Sequence, residues 1–341
     1  MKTLLIRKPD DWHVHFRDEP FLSDTVYATA KHFSRALAMP NLLPPLTDVD
    51  SLLDYEKRIL KVCPTTDFKP YLTFYLNNDV SVDEIAKAKH HPQILGGKLY
   101  PAGATTNAQH GTQSIQSIYP LLECLQEQDM VLQIHGEVSA GDIFKRESEF
   151  IESYLKPICE HFPKLRIVLE HISTRAAVDF VLGTNENVSA TITPHHLMFN
   201  RNHLLAGGIR PHYYCLPILK SEPNQHALIQ VAISGNPKFF AGTDSAPHTI
   251  SNKETACGCA GIFSAPFALP MYTEVFDKNH ALNKLNDFMS RFGAEFYKLP
   301  LNNNEVELRQ SPLKVPESLS FHDQKVVPVM AGESLSWSVH D

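Results

Sequence analysis

The chain reads Asp11-Trp12-His13-Val14-His15-Phe16-Arg17 shortly after a first apolar run, Leu4-Leu5-Ile6. Side chains two residues apart in an extended strand point to the same face. The segment therefore brings two imidazoles and one guanidinium to one side of a strand end. Paired imidazoles are a start on a transition-metal site, and an arginine can anchor a carboxylate. A His-x-His pair is also common on protein surfaces, so its meaning depends on the rest of the chain.

Short apolar runs alternate with longer amphipathic stretches along the chain, a pattern typical of parallel βαβ units. Eight such units predict a closed (β/α)8 TIM barrel rather than an open sheet. The predicted strands are 9–15, 35–40, 70–76, 94–100, 130–135, 165–171, 188–193 and 238–243. The predicted helices are 22–33, 51–62, 82–90, 115–127, 147–162 and 174–182. Segments 196–225 and 245–270 are rich in Pro and Gly without periodicity, so we predict long functional loops there.

A barrel of this kind carries its chemistry at the carboxyl ends of its strands. Metal-binding side chains lie at five of the predicted strand ends: His13 and His15, Lys98, His135, His171, and Asp244. Each has an ordinary structural alternative, such as a strand-capping histidine, a turn aspartate, or a lysine that extends its ammonium to solvent. The structural alternative would have to hold at five separate strand ends at once. The five ends together therefore predict a metal centre at the carboxyl-terminal face.

Composition narrows the class of protein. The chain has 341 residues, 43% of them hydrophobic, which suits one soluble α/β barrel. The net charge of -7 and dispersed basic residues argue against a nucleic-acid partner. No apolar run approaches the roughly 18 residues of a membrane span, and the first residues lack a signal peptide's apolar stretch. The six cysteines are scattered, which indicates free thiols and a cytoplasmic protein.

The strand-end pattern resembles the amidohydrolase superfamily with a binuclear metal centre, and within it the class II dihydroorotase family. The resemblance covers nearly the whole chain. The segments that carry it, besides 11–17, are Met39-Pro40-Asn41, Gly97-Lys98-Leu99-Tyr100-Pro101, Ile134-His135-Gly136-Glu137, Leu169-Glu170-His171, Thr193-Pro194-His195-His196-Leu197, Arg210-Pro211-His212-Tyr213-Tyr214-Cys215-Leu216-Pro217, Gly242-Thr243-Asp244-Ser245-Ala246-Pro247-His248 and Gly332-Glu333-Ser334-Leu335.

The resemblance implies two zinc ions bridged by a carboxylated Lys98. The implied ligands are His13, His15 and Asp244 for the first ion, and His135 and His171 for the second. A carboxylated lysine makes physical sense, because a free ammonium would repel cations whereas the CO2 adduct of a neutral amine can bind one ion with each oxygen. The implied reaction is reversible hydrolysis of L-dihydroorotate to N-carbamoyl-L-aspartate in pyrimidine biosynthesis. A metal-bridged hydroxide would be the nucleophile, and Asp244 the general base and acid.

A substrate carboxylate that does not react needs an anchor. Arg17 can bind it bidentately, with Asn41 and His248 as companions. The resemblance adds contacts from Leu216, Ala260 and His135, and a lid at 103–112 in which Thr105 and Thr106 bind substrate. Alternatives remain for three of these features: a surface salt bridge for Arg17, a turn residue for Asn41, and an ordinary flexible loop for 103–112.

We expect a single domain, 1–341, with an extension from about 300 to 341 packed on the barrel. The resemblance suggests a homodimer that takes a small-molecule substrate. Rival functions are a dihydropyrimidinase or hydantoinase, an adenosine-deaminase-like enzyme, and an inactive barrel kept as a scaffold. Few residues precede His13, which disfavours the N-terminal part of a hydantoinase-type sandwich. Lys98 would be surplus in a deaminase, and a scaffold is expected to lack ligands.

Overall fold

The fold is described from a computed structural model for residues 2–104, 108–112 and 114–340. A short strand, β1 (Thr3–Arg7), precedes an all-parallel sheet of eight strands in sequence order. The sheet strands are β2 (Asp10–Val14), β3 (Arg35–Ala38), β4 (Lys69–Leu76), β5 (Ile94–Leu99), β6 (Val131–Ile134), β7 (Arg166–Leu169), β8 (Val188–Ile192) and β9 (Phe239–Ala241). All eight predicted strands are thereby confirmed, and so is the barrel.

The ring closes just after β9. Ser245 forms a parallel bridge with Val14, and the Asp244 backbone N–H donates to the His13 carbonyl at 2.8 Å. Asp11 reinforces the seam, because its carboxylate accepts from the Thr243 backbone N–H at 2.7 Å and from the Thr243 hydroxyl at 2.6 Å. This seam places the ends of β2 and β9 side by side.

Helices separate the strands. They are α1 (Leu22–Ala30), α2 (Val49–Val62), α3 (Val82–Ala88), α4 (Tyr119–Glu127), α5 (Arg146–Phe150), α6 (Lys156–His161), α7 (Arg175–Gly183), α8 (Pro194–Met198), α9 (Arg201–Leu205), α10 (Glu222–Ile233), α11 (Ile250–Lys253), α12 (Ala268–Lys278), α13 (Leu282–Asn286) and α14 (Phe292–Phe296). Single 3-10 turns cover 115–118, 211–213 and 265–267, and π turns cover 151–155 and 287–291.

The predicted helices are present, and two boundaries differ in an informative way. The helix predicted over 147–162 is α5 and α6 joined by a π turn. The segments predicted as loops, 196–225 and 245–270, contain α9 and α11 and parts of α8, α10 and α12, so that prediction was wrong in part. Helices of four or five residues span little more than one turn, which is too short to show a 3.6-residue period.

Two apolar layers hold the barrel together. The larger cluster contains strand residues such as Leu72 and Leu132 and residues of the surrounding helices such as Leu52 and Ile59. A second cluster joins Trp12, Val131, Val168, Phe240 and Phe292, from strands on different sides of the ring and from α14. Side chains from opposite strands can meet only inside the ring, so this cluster fills the barrel.

The region after 300 contains a series of short strands. It forms β10 (Glu305–Arg309), β11 (Leu313–Lys314), β12 (Leu319–Phe321), β13 (Gln324–Val326), β14 (Ser334–Leu335) and β15 (Ser338–His340). β10 pairs antiparallel with β1 and β15, and Phe321 stacks on Phe21 at 4.5 Å. The division of the chain into one domain stays a prediction. Among the described residues, no helix is both long and apolar enough to span a bilayer.

Candidate metal centre

The structure brings the six predicted ligand residues to one end of the barrel. They come from three neighbouring strands, β5, β6 and β7, and from the two strands at the seam, β2 and β9: His13 on β2 and His15 just after it, Lys98 on β5, His135 after β6, His171 after β7, and Asp244 after β9. All six side chains are buried. Residues more than 200 positions apart in sequence therefore share one small, water-poor volume.

Three of these residues form a compact group. His13 Nε2 lies 3.3 Å from His15 Nε2, and both nitrogens are within 3.3 Å of one Asp244 carboxylate oxygen. Three donor atoms this close can surround a single cation. Two imidazoles and one carboxylate are a donor set that suits zinc and its neighbours.

The other two histidines form a second group beside the first. His135 Nδ1 lies 3.2 Å from His171 Nε2. The His171 ring is also next to the His13 ring, with centroids 4.9 Å apart. The two groups are therefore neighbours, as the ligands of two adjacent ions must be.

Lys98 is completely buried within β5. Its ammonium nitrogen contacts Glu170 Oε2 and lies 4.7 Å from the centre of the Tyr100 ring. Burial holds the pKa of Lys98 well below its usual range, with Asp244 acting in the opposite direction. A lysine with a lowered pKa presents a neutral amine more readily, and a neutral amine is the form that can react with CO2.

The protonation states fit a cation site. Burial is the main cause that lowers the pKa of all four histidines, and it brings that of His15 to about 4. These imidazoles are therefore neutral near pH 7, which is the form that binds metals. Burial opposes ionisation of Asp244, but hydrogen bonds with His13 and His15 outweigh it and hold the pKa of Asp244 well below its usual range.

Three site residues have strained backbones. Arg17, His171 and Asp244 adopt φ angles of 61°, 43° and 45°, in the left-handed region that favours glycine. Such conformations cost on the order of 1–3 kcal/mol each and collect at functional sites. At His171 and Asp244 the turn ends the strand and directs the side chain into the cluster.

A small cavity opens beside the first group. Its walls include predicted metal-ligand and substrate-binding residues: His15, Arg17, Asn41, Leu216, Asp244 and Ala260. His248 lines the adjoining cavity together with Arg17 and Asn41. A larger cavity lies against Pro101, Val138 and Tyr154, and none of the predicted site residues that the structure describes lines it.

Arg17 is held in this cavity by neutral acceptors. Its guanidinium donates to the Pro247 carbonyl at 3.2 Å and contacts His248 Nε2 at 3.0 Å. Burial and the neighbouring Arg17 cation lower the pKa of His248 to about 2, so its imidazole is neutral and can accept that bond. Asn41 Oδ1 lies 2.8 Å from His15 Nδ1, on the ring edge away from Asp244. Thr105 and Thr106 lie outside the described residues.

Sequence reasoning missed two buried glutamates that contact ligand histidines. Glu170 Oε1 is 2.9 Å from His13 Nδ1, and Glu137 Oε2 is 3.2 Å from His135 Nε2. Glu170 lies two residues after Val168, whose side chain packs inside the barrel, so regular alternation also directs Glu170 inward. The left-handed turn at His171 brings the next residue into the same site. The available signals were the two-residue spacing of Glu170 from Val168 and of Glu137 from His135.

A further group of possible metal ligands, separate from the two groups above, consists of two histidines and a cysteine. His195, His196 and Cys215 are buried with their donor atoms within 4.8 Å of one another. His196 and Cys215 already contact the Pro217 carbonyl, at 2.9 and 3.2 Å. Two of the three donors are thus engaged by the protein itself. Both ring nitrogens of His195 lack a hydrogen bond in the described part of the chain.

Comparisons with known proteins agree with this geometry. No family model matches the chain. The chain is 52% identical to the dihydroorotase of Photobacterium profundum, over 99% of this chain and 100% of that protein. The crystal structure of dihydroorotase from Campylobacter jejuni superposes with a TM-score of 0.92 at 36% identity, over 100% and 98% of the two chains. That of Saccharomyces cerevisiae dihydroorotase in complex with 5-fluoroorotic acid gives 0.92 at 33% identity, over 100% and 99%.

Proposed function

The chain belongs to the dihydroorotase family, and from that membership we propose that it carries out its reaction with a pair of zinc ions. The reaction is the reversible hydrolysis of L-dihydroorotate to N-carbamoyl-L-aspartate. The observation that carries the proposal is the convergence of His13, His15 and Asp244, within 3.3 Å of one another, beside a cavity lined by Arg17.

Five side chains and a modified lysine would hold the two ions. His13, His15 and Asp244 would bind one, and His135 and His171 the other. Lys98 would bridge them after its neutral amine has added CO2. Bound zinc would polarise the ring carbonyl and lower the pKa of a water molecule toward ~7.

Asp244 has the position needed to carry a proton. Hydrolysis forms a C–O bond at the ring carbonyl carbon, breaks the C–N bond and delivers a proton to the departing nitrogen. Asp244 borders both the ligand group and the cavity, so its carboxylate can take a proton from the attacking water and pass it to that nitrogen. In ring closure the same proton moves in the opposite direction.

The chain's own residues would also fix the substrate. Arg17 would bind the carboxylate that does not react, with Asn41 and His248 beside it. Leu216 and Ala260, which line the same cavity, would contact the ring through their backbones, and His135 would contact it from the ligand side. The yeast relative binds 5-fluoroorotic acid, a ring acid of the same chemical type, which supports this choice of ligand.

We further infer a cytoplasmic homodimer of single-domain chains, 1–341, with a small molecule as substrate. Free cysteines in the described part of the chain and full-length similarity to dihydroorotases support this inference.

The decisive experiment combines three measurements on the purified protein. We expect two zinc ions per chain, an intact mass increased by one CO2 on Lys98 under native conditions, and loss of the ultraviolet absorbance of dihydroorotate. A zinc-replete protein that hydrolyses hydantoin or dihydrouracil but leaves dihydroorotate unchanged would favour a hydantoinase. A protein that turns over none of these rings would favour an inactive scaffold.

A further inference from the structure

Two glutamates inside the barrel mouth have no part in the ligand set proposed above. Glu170 and Glu137 are 1% and 0% exposed. Burying a carboxylate is costly unless the group is paired and hydrogen-bonded. Glu170 Oε1 approaches His13 while Glu170 Oε2 contacts the Lys98 nitrogen, and Glu137 Oε2 approaches His135.

His13 is oriented between Glu170 and the first ligand group. Its Nδ1 lies 2.9 Å from Glu170 Oε1, whereas its Nε2 lies 3.3 Å from His15 Nε2 and from Asp244 Oδ1. The N–H of Nδ1 is not yet well aligned with the oxygen, and neither atom has another hydrogen bond in the described residues. Each is therefore the natural partner of the other, and a small ring rotation would align them.

His135 shows the same arrangement with its ring reversed. Its Nε2 lies 3.2 Å from Glu137 Oε2, and its Nδ1 lies 3.2 Å from His171 Nε2. His13 meets its carboxylate through Nδ1, whereas His135 meets its carboxylate through Nε2. In both rings the other nitrogen faces the neighbouring ligand histidine.

A neutral imidazole has one N–H and one lone pair. A carboxylate can only accept, so it fixes the N–H on its own side of the ring and leaves the lone pair on the other side. It also holds the ring in one orientation and makes the lone pair more basic, which strengthens metal binding.

We propose that Glu170 and Glu137 are positioning residues, one for each ion, that fix the tautomers and ring orientations of His13 and His135. This inference rests on the proposed function, because it assumes that the two histidines bind cations. In this inference neither glutamate binds the substrate or takes part in proton transfer.

The test replaces each carboxylate by a side chain of similar length that cannot accept a hydrogen bond. Glu170→Met and Glu137→Met should each weaken zinc binding roughly 10- to 100-fold, measured by competition with a chelator. Glu170→Gln and Glu137→Gln keep an acceptor oxygen, so they should recover most of the lost affinity. Cobalt-substituted samples should show an altered visible spectrum in the Met variants, because the ligand geometry changes.

The chain offers a matched control in Glu147. It is also buried, at 1% exposed, but it accepts from the Ser173 backbone N–H at 2.8 Å and from the Ser173 hydroxyl at 3.1 Å, and among the described residues it has no hydrogen bond or ion pair with a ligand histidine. Glu147→Met should lower the stability of the fold and leave zinc affinity unchanged.

Two results would overturn the inference. One is wild-type zinc affinity in both Met variants. If a Met variant does not fold, the Gln variant takes its place, and a loss of zinc affinity equal to that of Glu147→Met would overturn the inference. The other is an equal loss of affinity in Glu147→Met, which would mean that general loosening is the cause. A wild-type chain that binds no stoichiometric zinc would instead contradict the proposed function.

Discussion

The two ends of the barrel treat buried charge in opposite ways. At the amino end, Arg35 donates to both oxygens of Asp10 at 2.7 and 2.5 Å and to the Pro300 carbonyl at 2.8 Å, and Asn302 adds a bond to Asp10 at 2.7 Å. We call this set the amino-end pair. At the carboxyl end, His13 Nδ1, His171 Nδ1, Glu170 Oε1 and the Tyr100 hydroxyl lack a hydrogen bond in the described residues. We call the residues around His13, His135 and Lys98 the carboxyl-end cluster.

The difference separates stability from function. Buried polar groups in native proteins are almost always satisfied, and those that are not call for an explanation. The amino-end pair is complete, so it needs nothing besides the chain and serves to hold β2 beside β3. Among the described residues the carboxyl-end cluster is incomplete, because His171 Nδ1 and the Tyr100 hydroxyl have no hydrogen-bond partner there, so a further group is needed to satisfy it. Matched substitutions at the two ends should therefore fail in different ways.

The largest effect is expected from Lys98→Met. This change removes the group that would bridge the two ions, and metal ions supply several kcal/mol of catalysis, with each 1.36 kcal/mol worth a factor of ten. Turnover of dihydroorotate should fall roughly a thousandfold or more, and the zinc content should fall with it. Both are measured on protein shown to be folded by circular dichroism.

Arg35→Met is the matched change at the amino end. Removing one partner of a buried ion pair costs about 3–5 kcal/mol, because the other charge is left uncompensated. The free energy of unfolding should fall by that amount, measured by urea denaturation, while turnover per folded molecule stays at the wild-type value. The double variant Asp10→Leu/Arg35→Met should recover part of the loss. The comparison of the two ends would fail if Arg35→Met lost zinc or if Lys98→Met kept its turnover.

The sequence alone predicted most of the residues at the carboxyl end of the barrel. The eight strands were predictable because each is a short apolar run bounded by polar segments, and the strand ends named the six clustered residues. Their roles as ligands, and those of Arg17, Asn41 and His248 toward substrate, stay predictions. Family resemblance supplied the chemistry of Lys98, since a buried lysine alone does not specify carboxylation.

The amino-end pair and the two glutamates were not predicted, for a physical reason. Asp10 and Arg35 meet because residue 10 is in register with residue 35 across β2 and β3, and register is not written in either segment alone. Glu170 and His171 share the site only because His171 leaves the strand conformation. Both depend on backbone geometry that hydrophobic periodicity does not encode.

A pH experiment on His196 tests whether a residue near the carboxyl-end cluster serves stability when its hydrogen bonds are already made by the protein. His196 lies near the carboxyl-end cluster, yet both its ring nitrogens are engaged, by Thr193 and by the Pro217 carbonyl. Burial is the main cause that lowers its pKa from 6.5 to about 4. As the pH falls from about 6.5 to about 4, the unfolded chain binds a proton that the folded chain refuses, so the folded state loses stability.

The shift corresponds to a loss of about 3 kcal/mol at most between those two pH values, at 1.36 kcal/mol per pKa unit. His196→Gln removes this titration, so the metal-free variant should lose less stability than the metal-free wild type between pH 7 and pH 4.5. Urea denaturation at the two pH values measures the difference. Parallel losses in the two proteins would show that other groups cause the acid sensitivity, and His196 would no longer resemble the amino-end pair.

Arg17 tests the contrast from the other side, with the smallest expected effect. Unlike the buried Arg35 it is half-buried, and its hydrogen bonds in the described residues go to the neutral acceptors Pro247 and His248 rather than to a carboxylate. A charge-assisted bond is worth about 1.5–3 kcal/mol, so Arg17→Met should raise KM for dihydroorotate roughly 10- to 150-fold. The substrate carboxylate is bound equally before and during reaction, so kcat should change much less.

Arg58→Met is the control, because Arg58 pairs with Asp18 at 2.8 Å and should leave KM unchanged. A fall in kcat at constant KM would assign Arg17 to the reacting atoms instead, and a loss of stability comparable to that of Arg35→Met would place it with the structural charges.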